Sequence, residues 1–528
     1  MKGTFDIIIF FAALTGLVFL LKKVSGMGRN KHKEPNETLY FDDLKNMVSE
    51  MLNDYVSFSD RHPEFTGKLR ENTDITTYSV TRSIRECCSG AGGAREVVCE
   101  LIKDYLKLEL KLDAEAIRTA LPEDDPVTVM YHLIRKFDNE KAGYGFKILW
   151  DRFLRERVGN GKNVERQDII AAKEHFGFSV GDEERAELLA ELLYAYTVGL
   201  GAVDVLNWQK GCIEEIQLGL SGVAKGLYDY KDELDVYYSG GTSRKVTSKD
   251  SVHVVIAGRL YRLSFITFGT EDEVIRILRN LIKDSVSPEL TRKNPMIVTD
   301  TADGRRISVS RPPFTDAWTG LIRKFDTVRQ TSIEELVEDR KAVEVLDRIA
   351  CDNGNVAITG EMATGKTTLL RAMLLKVGED RSIRVLESES FELNVREYLP
   401  DANSLTLRIS EEYPEDAALA FSKKTTGQVF AVGEVCSPAM ANLVINISKT
   451  ATKVLFTAHY KTTADMVADF ASARINAGGF SDGKAAYDEA VHTLKYDVHL
   501  INRKGIRRVE YINEVTEDGS IQCLYKAS

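Results

Sequence analysis

The sequence predicts an α/β protein of several domains whose C-terminal part contains a mostly parallel sheet. Three observations predict it. Residues 360–367 fit the pattern G-x-x-x-x-G-K-[ST] and lie between a short apolar run and a stretch of helical periodicity. Further apolar runs then alternate with helical stretches, which is typical of a parallel sheet. Upstream, pairs of alternating runs joined by turn residues indicate a small α+β unit, and a long helical stretch precedes it.

Residues 360–367 have the composition of a phosphate-binding loop. Glycines at both ends allow the backbone to wrap around an anion, and the helix that follows directs its first N–H groups towards it. Lys366 is placed to reach the β- and γ-phosphates, and the Thr367 hydroxyl is a ligand for Mg²⁺. The residues predicted to bind the nucleotide here are Gly360, Glu361, Met362, Ala363, Thr364, Gly365, Lys366, Thr367 and Thr368.

Each of the next three apolar runs ends in a group that can do chemistry. The runs and their terminal residues are 383–386 with Glu387 and, two residues on, Glu389; 429–433 with Glu434; and 454–458 with His459. Ligands of parallel sheets bind beyond the carboxyl ends of the strands, so we expect these groups to converge on the phosphate loop.

The order of these groups matches what phosphoryl transfer to water requires. Thr367 and Glu434 can serve the metal, either directly or through its water shell. Glu387 or Glu389 can position the attacking water, and His459 can sense the γ-phosphate. A single carboxylate at a strand end is more often a helix cap, and a single histidine is more often structural.

Length and composition limit the alternatives. A chain of 528 residues is too long for one core, so two to four domains are expected. The net charge of -10 argues against a general polyanion binder, and no nucleic-acid partner is expected. The seven cysteines are dispersed without a C-x-x-C pair, which favours reduced thiols in a reducing compartment.

The N-terminal residues 7–21 form an uncharged apolar run that is short for a bilayer span. Lys22 and Lys23 follow it at once, without a small-residue cleavage site, which argues against a cleaved signal peptide. The basic residues that follow favour a cytoplasmic location for the body of the protein. We therefore predict an uncleaved membrane anchor and a cytoplasmic body; a buried helix of a soluble protein is the alternative.

The remaining chain divides into regions by its periodicity. Residues 252–256 and 260–268 form one predicted hairpin, and residues 296–301 and 306–310 form a second, with an amphipathic helix at 271–283 between them. The predicted organisation is 1–27, apolar helix; 28–37, linker; 38–230, helical region; 231–328, small α+β domain; and 329–528, nucleotide-binding domain.

Two motifs resemble those of a known superfamily. Residues 432–435, Val-Gly-Glu-Val, and residues 457–459, Thr-Ala-His, are similar to the Walker B and His boxes of the type II/type IV secretion ATPases. Upstream, residues 305–313 and 321–325 resemble the lead-in of the tight-adherence (Flp) pilus assembly branch, the CpaF/TadA-like ATPases. The similarity covers residues 233–514, about half of the chain.

The resemblance implies an ATPase that uses ATP and Mg²⁺ in a RecA-like domain, preceded by a small α+β domain across a mobile linker. It also implies a homohexameric ring that works with inner-membrane platform proteins to power pilus assembly or secretion by domain motion. Arg323 is placed by this resemblance to approach the nucleotide from the small domain.

Several positions depart from the family pattern. Its Glu-Asp pair is missing from residues 387–393, so strand alignment selects Glu387 whereas counting back from the following Glu-Leu selects Glu389. Cys436 replaces an arginine, and the paired arginines before the Walker B strand correspond to residues 423–426, which include Lys423 and Lys424. Lysine loses the bidentate grip on phosphate, so these two lysines or Arg408 would have to supply the cations that act in trans.

Three functions therefore remain open at the level of sequence. The first is a membrane-tethered secretion or pilus motor that hydrolyses ATP, and the second is a nucleotide-binding scaffold with weak or lost hydrolysis. The third is a conjugation-related motor that moves nucleic acid, which the acidic composition disfavours.

Overall fold

The computed structural model describes residues 39–527 with short internal gaps. The residues outside the description are 1–38, 67–75, 89–92, 160, 162, 178, 221–222, 227–243, 248–250, 284, 286–287, 326–331, 379, 389–390, 411, 480–481, 504–505 and 528. The predicted anchor and the predicted linker both lie outside it. In the part that is described, no helix combines the length and the hydropathy that a bilayer span requires.

The helices are α1 (Phe41–Asn53), α2 (Tyr55–Arg61), α3 (Thr77–Glu86), α4 (Ala94–Asp104), α5 (Ala114–Ala120), α6 (Pro126–Asp138), α7 (Gly145–Leu149), α8 (Arg155–Val158), α9 (Arg166–Phe176), α10 (Asp182–Thr197), α11 (Asp204–Asn207), α12 (Glu271–Ile282), α13 (Ile333–Leu336), α14 (Arg340–Cys351), α15 (Lys366–Val377), α16 (Val395–Tyr398), α17 (Glu415–Ser422), α18 (Pro438–Ser448), α19 (Thr463–Asn476) and α20 (Gly483–Thr493).

The strands are β1 (Asn163–Val164), β2 (Ile213–Leu218), β3 (Val223–Gly226), β4 (Arg244–Thr247), β5 (Val252–Ile256), β6 (Arg259–Leu263), β7 (Met296–Asp300), β8 (Arg306–Ser310), β9 (Thr319–Arg323), β10 (Val356–Gly360), β11 (Ile383–Glu387), β12 (Ser404–Arg408), β13 (Val429–Val435), β14 (Lys453–Ala458), β15 (Tyr496–Arg503), β16 (Ile506–Val515) and β17 (Ile521–Lys526).

Helices α1 to α11 are held together by apolar stripes of helical period. In α10, three acidic residues occupy the first turn, where their negative charge interacts favourably with the helix dipole. The buried face of this helix contains Leu188, Leu189, Leu192 and Leu193. One hydrophobic core extends from Leu44 in α1 to Ile322 in β9, so these helices share their core with the first of two large sheets.

The first sheet, called here the N-terminal sheet, has the order β1-β6-β5-β2-β9-β8-β7 among the described residues. Both predicted hairpins are confirmed, as β5 pairs with β6 and β7 with β8, each antiparallel. The amphipathic helix between them is α12, whose apolar side is buried. Strands β1 and β2 also join this sheet, although they come from residues 38–230, and the predicted domain boundaries stay predictions.

The second sheet, called here the C-terminal sheet, has the order β12-β11-β13-β14-β10-β15-β16-β17 among the described residues. Strands β10 to β15 are parallel, and β16 and β17 add an antiparallel edge. Separate hydrophobic cores cover its two faces. The mixed α/β class with a parallel sheet is therefore confirmed.

Local sequence signals explain how the helices of this part begin. Ser332 and Glu335 form a capping box at α13. Helix α18 begins at Pro438, with Ser437 as its N-cap. Four of its apolar residues, Met440, Leu443, Val444 and Ile447, are buried.

Candidate nucleotide-binding site

The phosphate loop connects β10 to α15 and depends on unusual backbone angles. Gly360 and Gly365 have φ values of 137° and 96°, and Ala363 has a φ of 59°. A Cβ atom on Gly360 would lie 2.2 Å from the carbonyl oxygen of Leu500 in β15, so only glycine fits against that strand. The first N–H groups of α15 consequently face the space enclosed by the loop.

The predicted nucleotide-binding residues differ in exposure. Thr364 and Lys366 are buried; Gly360 is buried at the end of β10; Gly365, Thr367 and Thr368 are partly buried; and Glu361, Met362 and Ala363 are exposed. Thr364 stabilises the turn, since its hydroxyl donates a hydrogen bond to the carbonyl of Glu361 at 2.9 Å.

Lys366 lies inside the loop with only 7% of its surface exposed. Its Nζ donates hydrogen bonds to the carbonyl oxygens of Gly360, at 3.1 Å, and of Glu361, at 2.8 Å. Burial lowers the pKa of Lys366 to about 8, and the nearby Glu434 carboxylate opposes that shift. A buried ammonium that no carboxylate contacts directly is a favourable partner for a phosphate.

His459 connects Glu434 to Lys366. Its Nε2 lies 2.7 Å from Oε1 of Glu434, and its Nδ1 lies 3.3 Å from Nζ of Lys366 and 3.1 Å from the carbonyl oxygen of Gly360. If Nε2 carries the proton donated to Glu434, Nδ1 of the neutral ring accepts from Lys366, whereas Nδ1 of the protonated ring donates to Gly360. The histidine therefore contacts both the loop and the carboxylate.

Sheet topology explains this convergence. Glu387 is the last residue of β11, Glu434 is the penultimate residue of β13, and His459 directly follows β14. These three strands lie side by side, and β14 lies next to β10. Parallel strands end at the same edge of a sheet, which is why groups on neighbouring strand ends lie close together. The structure brings His459 and Glu434 to Lys366 in the phosphate loop, whereas Glu387 lies beside Gly433 of the neighbouring strand β13.

Glu387 differs from the other carboxylates of the site because it is only 3% exposed. Its Oε1 accepts a hydrogen bond from the backbone N–H of Leu393 at 2.7 Å, while its Oε2 has no partner among the described residues. Burial raises the pKa of Glu387 to about 8. Glu389, the alternative predicted carboxylate, lies outside the described residues.

Arg323 ends β9 of the N-terminal sheet and faces the C-terminal sheet. Its Nη2 lies 3.8 Å from Oε1 of Glu392, and Nη2 of its cross-strand neighbour Arg306 lies 3.8 Å from Oε2 of the same carboxylate. Its charge contributes to the lowered pKa of Lys366. Arg323 is therefore near the phosphate site, and Glu392 is its carboxylate partner here.

The positions that depart from the family pattern lie in different places. Lys423 and Lys424 are exposed and precede β13, at the opposite end of that strand from Glu434. Arg408 ends β12 and pairs across the two sheets with Oδ2 of Asp300 at 3.0 Å. Cys436 is exposed directly after β13. In this subunit, neither lysine is placed to contact the phosphate loop.

Two sets of contacts around the loop were not predicted. Beneath it, Asp497 of β15 is completely buried and accepts a hydrogen bond from Thr359, the residue before Gly360. Beside it, Nε of Arg507 donates to the carbonyl oxygen of Ala363 at 3.0 Å. The sequence contains a signal for the first, because polar residues 497 and 499 alternate with apolar ones in a strand-like run. The contact of Arg507 depends on tertiary packing alone.

The side chains and backbone groups around the loop fit a nucleotide and a magnesium ion. The buried Lys366 and the glycine backbone suit phosphate oxygens, and Oε2 of Glu387 is a buried oxygen that can hydrogen-bond a water molecule. Thr367 and Glu434 offer the oxygen ligands that Mg²⁺ prefers, and when bound this ion would neutralise charge on the phosphates. No cluster of three or more His, Cys, Asp or Glu that could hold a metal occurs within the described residues.

Comparison with known proteins gave matches only among solved structures. No protein-family model matches the sequence, and neither does any curated protein. The VirB11 ATPase of the Brucella suis type IV secretion system is 14% identical, with a TM-score of 0.30, over 57% of this chain and 88% of that one. The Legionella pneumophila ATPase DotB is 14% identical, with a TM-score of 0.39, over 58% of this chain and 77% of that one.

The pilus retraction motor PilT, solved with bound ADP, is 15% identical over 60% of this chain and 80% of that one, with a TM-score of 0.38. These neighbours are ATPases and motors of secretion and pilus systems. Identities and TM-scores this low do not establish a function for the chain, so its function has to be inferred from the residues of the site.

Proposed function

We propose that this chain binds Mg²⁺–ATP at the phosphate loop and hydrolyses it. The observation that carries the proposal is the chain of contacts from Lys366 through His459 to Glu434 at one edge of the C-terminal sheet. Lys366 would hold the phosphates, Glu434 would orient water or the metal's water shell, and His459 would link their positions. Glu387 is a second carboxyl group that can hydrogen-bond a water molecule through Oε2, and its raised pKa makes its protonation state depend on pH near neutrality.

We further propose that hydrolysis powers pilus assembly or protein secretion at the cytoplasmic face of a membrane. The Walker B-like and His-box-like residues around Glu434 and His459 support this role. The presence of two sheets also supports it, with the N-terminal sheet preceding the C-terminal sheet and residues 326–331 between them in the sequence. A homohexameric ring, a membrane attachment through residues 1–27 and platform proteins as partners belong to the same proposal.

Phosphate release from the purified full-length oligomer tests the hydrolysis step. We expect wild-type protein to release phosphate from Mg²⁺–ATP, and Lys366→Ala to lower the rate by about 100-fold or more because the buried cation is lost. Lys376→Ala, on the exposed part of the same helix, is the matched control and should retain the wild-type rate. Equal rates for wild type and Lys366→Ala would refute the proposal.

A nucleotide-binding scaffold without hydrolysis is the second candidate. Two observations favour it: Glu387 accepts a bond from Leu393 rather than facing solvent, and Lys423 and Lys424 lie at the far end of β13. Binding of ADP by the wild-type oligomer, lost in Lys366→Ala, together with no phosphate release, would identify the scaffold.

A further inference from the structure

A buried polar cluster lies beneath the phosphate loop and takes no direct part in the proposed site. Its centre is Asp497 in β15, which is 0% exposed. Oδ1 of Asp497 accepts from the hydroxyl of Thr359 at 2.6 Å, and Oδ2 accepts from the hydroxyl of Thr463 at 2.6 Å. The carboxylate therefore joins two hydroxyl groups from different elements.

The outer members of the cluster fix the direction of these hydrogen bonds. Nδ2 of Asn513 donates a hydrogen bond to the Thr463 hydroxyl oxygen at 2.9 Å. The hydroxyl of Thr463 therefore donates its own proton to Asp497. Nδ1 of His499 lies 2.9 Å from the Thr359 hydroxyl, and a proton on that nitrogen leaves Thr359 free to donate to Asp497. Both threonine hydroxyls thus donate to the one carboxylate.

The two threonines belong to the segments that carry the phosphate-binding groups. Thr359 is the penultimate residue of β10 and directly precedes Gly360. Thr463 is the first residue of α19, four residues after His459. Asp497 therefore connects the strand that leads into the loop with the segment that follows the histidine.

A purely structural role would not require this arrangement. A carboxylate buried in an apolar strand is costly unless it is well hydrogen-bonded, and apolar residues of similar volume often replace such groups without loss of stability. Hydrogen bonds of defined direction restrict how β10 and the N-terminus of α19 can shift against each other, and apolar packing does not impose this restriction.

We propose that Asp497 is a positioning residue which, through Thr359 and Thr463, fixes the phosphate loop and His459 relative to each other. The inference rests on the proposed function in one respect: the fixed geometry matters for hydrolysis only if the site hydrolyses ATP. The positioning itself is a property of the protein that can be measured without turnover.

The test uses the full-length oligomer and substitutions at Thr463. Thr463→Val removes the hydroxyl, and Thr463→Ser keeps it. Thr493→Val is the matched control, because Thr493 is also buried but its hydroxyl bonds only to the Glu489 carbonyl of its own helix. Asp497→Asn is a further variant, and the Thr463 pair remains informative if that protein does not fold.

Two measurements are made on each variant. Hydrogen exchange reports the order of residues 459–462, and steady-state phosphate release separates kcat from KM. We expect Thr463→Val to speed exchange in 459–462 by about 10-fold and to lower kcat by about 10-fold with KM within about 2-fold of wild type. Thr463→Ser and Thr493→Val should remain close to wild type in both measurements.

The possible outcomes separate the two proposals. If Thr463→Val matches Thr493→Val in exchange, positioning by Asp497 is overturned. If Thr463→Val exchanges faster while an active wild-type enzyme and the variant share the same kcat, the claim that this positioning serves hydrolysis is overturned. If wild type releases no phosphate but exchange still rises only in Thr463→Val, the positioning role is supported and the proposed hydrolysis is the part that fails.

Discussion

Individual residues of the site are distinguished by burial more than by type. Glu387 and Glu434 both lie at strand ends of the C-terminal sheet, yet Glu387 is 3% exposed, whereas the side chain of Glu434 is 47% exposed and pairs with His459. The same chemical group is therefore held in two environments. Burial is what raises the pKa of Glu387 to about 8, so its protonation changes near neutral pH.

This difference predicts a pH dependence of stability. Because the folded state holds the Glu387 proton more tightly than the unfolded chain, the contribution of this group falls as pH rises from about 4.5 to about 8 and then stays constant. Relative to Glu387→Gln, the wild type should lose roughly 2–4 kcal/mol of unfolding free energy between pH 5 and pH 8. Denaturant unfolding of both proteins at the two pH values measures it.

The control for this measurement is Glu338→Gln, which changes an exposed carboxylate. Its difference from wild type should be nearly the same at both pH values. A Glu387→Gln difference that does not change with pH would mean that the carboxyl is not desolvated in the folded protein.

At the scale of elements, short-range patterns were sufficient to predict four of the eight strands described in the C-terminal sheet. The runs around β10, β11, β13 and β14 are apolar and bounded by turn residues, and the helix at Pro438 carries its own cap. The two N-terminal hairpins were also predictable, because alternation and Gly turns are local signals.

Pairings that depend on distant segments were not predictable in the same way. Strand β2 comes from the helix-rich part of the chain and pairs with β5 and β9, which follow it by tens of residues. Similarly, the contact of Arg507 with Ala363 and the links from Asp497 to Thr359 and Thr463 join segments far apart in sequence. A single sequence contains the residues for such contacts but not their register.

The junction of β10 and the loop gives a prediction at this scale. Gly360→Ala would place a Cβ atom 2.2 Å from the Leu500 carbonyl oxygen, so β10 and β15 would have to separate. We expect a loss of about 2–4 kcal/mol in unfolding free energy, together with weaker ADP binding. Thermal or denaturant unfolding and an ADP titration would measure these two effects.

Gly483→Ala is the matched control, since a Cβ atom there meets no atom within 4 Å. It should alter the unfolding free energy by less than about 1 kcal/mol and leave ADP binding unchanged. Similar effects of the two substitutions would show that the loop does not require glycine at position 360.

At the scale of the whole molecule, the two sheets meet next to the phosphate loop. Nη2 of Arg507 lies 2.7 and 2.9 Å from the two carboxylate oxygens of Glu214 in β2, and the same side chain donates through Nε to Ala363. The backbone N–H of Gly258, in the β5–β6 turn, donates to Oε2 of Glu214 at 3.1 Å. One arginine therefore contacts the loop and the N-terminal sheet together.

This bridge should couple nucleotide binding to the contact between the sheets. In a double-mutant cycle of Arg507→Ala and Glu214→Ala, we expect ADP-binding free energies to be non-additive by about 1 kcal/mol, because both substitutions break the same bridge. Isothermal titration of the four proteins gives the coupling. The ion pair of Arg474 with Glu489, which lies within the C-terminal part, is the control and should show none.

The central claim, that Glu434 and His459 act on a nucleotide held by Lys366, is tested most directly with Glu434→Gln. Phosphate release and ATP affinity are measured on the same oligomer. We expect release to fall by about 100-fold or more while the Kd for ATP changes by less than about 3-fold, because the substitution keeps the shape of the side chain and removes its charge. Release at the wild-type rate would contradict the assignment of Glu434 to the hydrolytic site.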